Sequence, residues 1–296
     1  MSIDRALYHG WQGELQTPAW GCLALVRVGL VQVFRRKLYW FALGLCFLQF
    51  AFFFMSIYAI TQTKLPARAQ QQVLEHFGFS AQAAGQGESG YTKFIEQQSL
   101  MVMLLLAFSG SLLVGSDFRD KSLPFYLSRR IDRRHYIVGK LLAVSTIVAM
   151  LTMLPALLLF IEYGLFTGST DYWIEHWRVP LSVMIYGAVL CIVLSIMLVT
   201  LSAYLQKLAP IAITWCSLFL LVGRLSMLLR RETGQQAWRL LDPWHDIHQV
   251  GRLGFGALAT PSERQLALWA LAILAGVCGL CLVALARRVR AIEIVQ

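Results

Sequence analysis

The chain has 296 residues, of which 57 % are hydrophobic and 14 % charged, and a formal net charge of +10. Soluble domains carry roughly 25 % charged residues, so this composition excludes an ordinary water-soluble protein and leaves room for one integral membrane domain without a large soluble module. All six cysteines (Cys22, Cys46, Cys191, Cys216, Cys278, Cys281) fall in apolar stretches, which predicts free thiols and no disulfide framework.

Residues 1–18 are polar, contain Gly10, Gly13 and Pro18, and read as an irregular tail. Residues 1–37 are mixed and basic, with no short apolar core before a small-residue cleavage site, so no cleavable signal peptide is expected. From Ala19 to Lys37 a helix is expected. Arg27, Gln32, Arg35 and Arg36 take one half of its wheel; Leu23, Val26, Leu30, Val33 and Phe34 take much of the other. A basic amphipathic helix just ahead of a span belongs in the inner headgroup layer.

Apolar runs follow at 38–60, 98–114, 141–166, 179–204, 210–229 and 266–286. Each is close to the ~20 residues that cross a bilayer. Residues 38–286 therefore read as a six-helix transmembrane domain, and 287–296 as a C-terminal tail. Tyr39 and Trp40 mark an interface, and Gly110, Ser111 and Gly115 would let another helix approach the second span closely. The polar 61–97 loop has a helical pattern over Leu65–Phe79 and then AAGQGESG, flexible by composition. Pro155 sits mid-span and should kink the third helix, freeing a carbonyl one turn earlier. The short Thr167–Arg178 loop carries Tyr172, Trp173 and Trp177, and Gln206-Lys207-Leu208 reads as a tight turn before Pro210 opens the fifth span. Arg230–Gln265 reads as a second outer loop, Gly-rich over Val250–Ala259. It can dip back into the membrane only if protein buries its backbone.

The densest charge lies between the second and third runs, in DFRDKSLPFYLSRRIDRRHYIVGK, Asp117–Lys140, with seven Lys or Arg and three Asp. Ser122 is placed to cap a short helix with Pro124 in its first turn, and Leu123, Tyr126 and Leu127 form one apolar face. Asp132 is placed to cap a helix that continues into the third span. Such a knob across the end of two spans is something another protein can grip; the alternative is that its charges only fix topology and touch lipid phosphates. With both termini inside, the inner segments hold 16 Lys/Arg and 6 acidic residues, the outer ones 10 and 10. The whole surplus lies on one side, as the positive-inside rule asks, which argues against a nucleic-acid partner.

Asp117, Leu127, Ser128, Arg129, Ile131, Arg133, Tyr136, Gly139 and Lys140 carry a resemblance. The stretch is similar to the signature of permease subunits of ATP-binding-cassette (ABC) exporters of the ABC-2 type. There an acidic residue follows the second membrane helix; a Leu-Ser-Arg-Pro-Ile-Ser-Arg-like element comes next, then a Tyr and a Gly-Lys opening the third. Here Arg130 stands where Pro is usual, and Asp132 where Ser or Thr is usual. The resemblance implies an all-α polytopic fold with a connecting helix at the N-terminus and a cytoplasmic coupling helix around Leu123–Arg129. The ATPase-coupling set would be Asp117, Leu123, Tyr126, Leu127, Ser128, Arg129, Arg133, Tyr136 and Lys140. Spans one, two and five would line the path. It further implies two ABC ATPase subunits carrying ATP and Mg, a second permease in a homo- or heterodimer, contact with membrane lipid, and a bacterial inner membrane with both termini cytoplasmic.

The sequence contains no Gly-x-x-x-x-Gly-Lys-Ser/Thr, no His-Glu-x-x-His and no Gly-x-Ser-x-Gly. No catalytic constellation, metal site or resident cofactor is expected, so any ATP must be hydrolysed on a separate chain. Glu162, near the outer end of the third span, belongs either to a translocation path or to a solvated interface. Arg224 can snorkel outward or pair with it. Cys278 and Cys281 share a helix face suited to Cu(I), or pack as small apolar groups. Asp242, His245, Asp246 and His248 suit a transition metal, or are solvated loop polarity. Two other functions compete with export. One is a subunit that transmits force to an extracytoplasmic partner through 61–97 and 230–265. The other is an integral membrane enzyme, which needs His, Asp or Glu clustered at one membrane depth; the apolar runs offer no such cluster.

Overall fold

The computed structural model describes residues 18–63, 66, 68, 76–77, 90–119, 133–168, 170–258 and 260–293. Among these it is helical throughout. Helix α1 spans Pro18–Phe34. The six helices long and apolar enough to cross a membrane are α2 (Lys37–Gln62), α3 (Gly90–Arg119), α4 (Arg133–Thr167), α6 (Arg178–Leu205), α7 (Leu208–Thr233) and α9 (Pro261–Glu293). The protein is thus a multi-pass membrane protein. Between them lie α5 (Thr170–Glu175), a 3-10 turn (Gln236–Leu241) and α8 (Pro243–Phe255).

The spans occur in the expected order, with longer bounds. Helix α3 begins eight residues before the expected Gln98, because Tyr91, Phe94 and Ile95 are buried although polar residues alternate with them. Helix α4 starts at Arg133, and α9 continues past 286 to Glu293, so the tail opens as helix. Hydropathy alone marks where a chain meets lipid, not where a helix packed on protein ends. The helix expected at Leu65–Phe79 lies largely outside the described residues; Phe77 packs edge-on against Phe53, with ring centroids 5.0 Å apart.

Helices α3 and α6 bury 65 % and 67 % of their apolar stretches, against 22 % for α2, α7 and α9. Consequently α3, α4 and α6 make the core and the other spans its rim. Close approach is set by glycines. A Cβ on Gly110 would lie 2.8 Å from Leu198 and from the Ser202 hydroxyl, so α3 crosses α6 there. Helix α4 is interrupted at Thr152, three residues before Pro155. The proline ring has no N–H for the Leu151 carbonyl, and the helix yields at that point. The irregularity packs against α6, where a Cβ on Gly187 would lie 3.1 Å from Met153.

Helix α1 exists as expected, but its wheel divides differently. Cys22, Leu25, Gly29 and Val33 form the buried stripe, whereas Leu23 is exposed. The stripe packs on the start of α4: a Cβ on Gly139 would lie 3.0 Å from Leu25, and the Cys22 thiol reaches the His135 carbonyl at 3.3 Å. Protein packing, rather than polarity, chooses that face.

Candidate functional site

Helices α3 and α4 run antiparallel on either side of residues 120–132. On α4, Tyr136 and Lys140 are four residues apart and so share a face; on α3, Leu113 and Asp117 do the same. These two pairs meet. The Asp117 carboxylate Oδ2 accepts the Tyr136 hydroxyl at 2.8 Å and lies 2.7 Å from the Lys140 ammonium. Lys140 Nζ also donates to the Leu113 carbonyl at 2.6 Å and stands 5.7 Å from the Tyr136 ring centre. All three side chains are buried: Tyr136 is 1 % exposed, Lys140 3 % and Asp117 5 %.

The local backbone suits this. Ser111–Gly115 is a π-helical segment, whose wider turn alters where carbonyls point. Leu113 lies within it. At its end, a Cβ on Gly115 would sit 2.7 Å from the Gln206 carbonyl. Gln206 itself has φ 58° in the turn that joins α6 to α7. The turn therefore abuts the triad's helix. The described start of the chain lies here too, since α1 rests on His135 and Gly139. So does the end of α9, where Tyr204 donates to the Ala284 carbonyl at 3.1 Å and stacks under Arg288. One end of the bundle thus gathers the triad, the flanks of the basic segment and both described chain ends.

Of the expected coupling residues, Asp117, Tyr136 and Lys140 come together. Arg133 opens α4 and is half-buried. Leu123, Tyr126, Leu127, Ser128 and Arg129 lie outside the described residues. Glu162 departs from the expected solvated interface, because it is buried. Its residue is 6 % exposed, and neither carboxylate oxygen has a hydrogen-bond partner. Helix α5 packs on the neighbouring face of α4, where the Trp173 ring closes on Gly164 and the Phe160 ring lies 5.5 Å from that of Tyr172 and 5.3 Å from that of Trp173. Pairing with Arg224 does not form; Arg224 is exposed on α7.

The opposite end holds the larger departure. Asp242, His245, Asp246 and His248 are not a solvated loop. Asp242 caps α8 by accepting the Trp244 amide at 3.0 Å, with Pro243 in the first turn. Asp246 is 1 % exposed and its carboxylate oxygens have no partner. Tyr186 and His248 hydrogen-bond through the hydroxyl and Nδ1. Arg252 pairs with Glu96 of α3 at 2.8 Å. Polar and titratable groups are therefore clustered at one level after all, although among the described residues no group of three His, Cys, Asp or Glu could hold a metal. Burial lowers His245 to about 4, helped by Arg239, Arg252 and Arg230. His248 falls to about 3 by burial and then by Arg252 and His245. Asp246 rises to about 7, chiefly by burial and then by Asp242.

Sequence reasoning missed the Glu96–Arg252 and Tyr186–His248 contacts. Their members are 156 and 62 residues apart, beyond any local pattern. The helix itself had a signal: Asp242-Pro243 is an N-cap followed by a first-turn proline.

No curated protein matches the chain. Residues 42–295 match the family model described as "Protein of unknown function (DUF2705)", a stretch that takes in most of the first span and all later ones. The protein belongs to that family.

Proposed function

We propose that the protein is the permease subunit of an ATP-driven exporter of the ABC-2 type, pairing with a second permease and with two cytoplasmic ATPase subunits. Both termini and the 120–132 segment then face the cytoplasm of a bacterial inner membrane. The segment Leu123–Arg129, expected to act as a coupling helix, receives the motion of the ATPases, and α1 serves as the connecting helix. ATP and Mg act on the partner chains.

The observation that carries this reading is the buried Asp117–Tyr136–Lys140 triad. It clamps the last turn of α3 to the first turns of α4, where the basic segment leaves and rejoins the bundle. A force applied to that segment reaches two core spans through a rigid joint instead of being lost in loop motion. An ion pair in so dry a place holds only when each charge has several partners, and here both do. The surplus of basic residues supports the cytoplasmic side.

The test is charge reversal at Arg129 and Arg133. R129E/R133E should insert normally but lose ATPase co-purification and stimulation. If both persist unchanged in the doubly reversed protein, the coupling assignment is wrong.

A further inference from the structure

We propose that the cleft between α8, the 3-10 turn and the first turns of α3 is a phosphate-binding site, filled by a phospholipid headgroup or by free phosphate. The inference concerns the end of the bundle away from the triad and does not depend on the transport reading. A cavity of about 250 Å3 opens there, lined among others by Glu96, Arg239, His245, His248, Gln249 and Arg252. Residues 245, 248, 249 and 252 recur at three- and four-residue spacing, so they are one face of α8 turned into the cavity.

The lining sets two guanidiniums, Arg239 and Arg252, against two carboxylates, Glu96 and Asp242, and Asp242 attracts Arg239 without touching it. Arg230, Arg239 and Arg252 all act on His245. Of the carboxylates lining the cavity, Glu96 is bonded to Arg252, and Asp242 spends one oxygen on the Trp244 amide. Among the described residues Arg239 has no carboxylate within ion-pairing distance, although it is half-buried. A guanidinium partly withdrawn from water with five unbonded donors calls for an oxyanion, and its planar fork matches two phosphate oxygens. The Gln249 side-chain oxygen is also buried without a partner. A hydroxyl or ammonium group beside the phosphate would satisfy it.

Depth and size agree. Glu96 is six residues into α3, and Tyr186, which bonds His248, is eight into α6, so both lie about 9–12 Å inside the helix starts at ~1.5 Å per residue. Helix α6 is ~42 Å long against a hydrocarbon core of ~30 Å, leaving about 6 Å beyond the core at each end. The cavity therefore sits close to where headgroup meets acyl chain. Drug-sized pockets begin near ~300 Å3, so this one takes a phosphate with its nearest substituent, not a whole lipid.

The experiment uses the purified full-length chain in detergent. Phosphatidylglycerol and diacylglycerol binding are counted by native mass spectrometry, and inorganic phosphate is titrated calorimetrically. Wild type should hold phosphatidylglycerol and not diacylglycerol, and R239Q should weaken the binding tenfold or more. Arg231 is exposed at the end of α7, outside the cavity, and R231Q should bind as wild type does. If R239Q is not recovered folded, Q249L is read in the same way. Inorganic phosphate bound by wild type and lost in R239Q, with no lipid retained, keeps the site and assigns it to a soluble anion. The proposal is overturned if neither probe binds, if diacylglycerol binds equally, or if R239Q and R231Q behave alike.

Discussion

Asp117 and Lys140 lie 2.7 Å apart with almost no solvent contact, so neither charge can be removed alone without stranding the other. Lys140→Met should destabilise the protein by about 3–5 kcal/mol, measured by thermal unfolding in detergent. Adding Asp117→Asn should recover most of that loss; additive losses would show that the two residues do not act as a pair. Asp246 gives a second residue-level expectation, this time in pH. Its folded value of about 7 lies above its ordinary 3.8, because burial, and then Asp242, disfavour the carboxylate. The stability it allows is fully present below 3.8 and is lost as pH rises towards 7. His245 and His248, pushed down to about 4 and 3, act oppositely: the buried neutral rings gain stability as pH rises towards 6.5. Asp246→Asn removes only the falling contribution. Its unfolding temperature should therefore climb more steeply than that of wild type between pH 4 and 6.5; parallel curves would refute the assignment.

At the scale of elements, α8 is held by what it lacks. A Cβ on Gly251 would lie 2.3 Å from the Tyr186 ring, and one on Gly254 3.1 Å from Ile185. The Ser182 hydroxyl donates to the Gly254 carbonyl at 3.0 Å. The glycines that made this stretch look like a loop are the surface on which α8 meets α6. Being helical, its backbone is satisfied internally, which is what permits it to lie against a span. Gly251→Ala should cost about 1–3 kcal/mol by overpacking against the ring. The same change should break the Tyr186–His248 contact, seen as a shift in the His248 imidazole resonances. An unshifted spectrum would mean that α8 has room to spare.

For the whole molecule, the two ends differ in kind. One gathers the flanks of the basic segment, the α6–α7 turn and both described chain ends; the other gathers α5, α8 and the Glu96–Arg252 pair. Single cysteines placed at Arg134, Lys207 and Arg287 should react with an impermeant thiol reagent from one side of the membrane, and cysteines at Thr233 and Asp171 from the other. Labelling of Arg134 and Lys207 positions from opposite sides would contradict the bundle. Helices α2, α7 and α9 each give a few residues to the core, among them Phe53, Trp215 and Leu274, and leave most of their apolar surface exposed.

Composition and spacing by themselves determined that this is a helical membrane protein with six crossings. Burying so many apolar residues without lipid is impossible, and a helix is the form that satisfies its own backbone there. Asp117, Tyr136 and Lys140 stood out only through the family resemblance; spacing puts Tyr136 and Lys140 on one helix face but cannot bring Asp117 to them. Tertiary structure alone decided which face of α1 packs, that Glu162 is buried, and that residues 243–255 form a helix wedged against α6. Each of these depends on a partner distant along the chain, and local periodicity carries no information about which surface a helix will find.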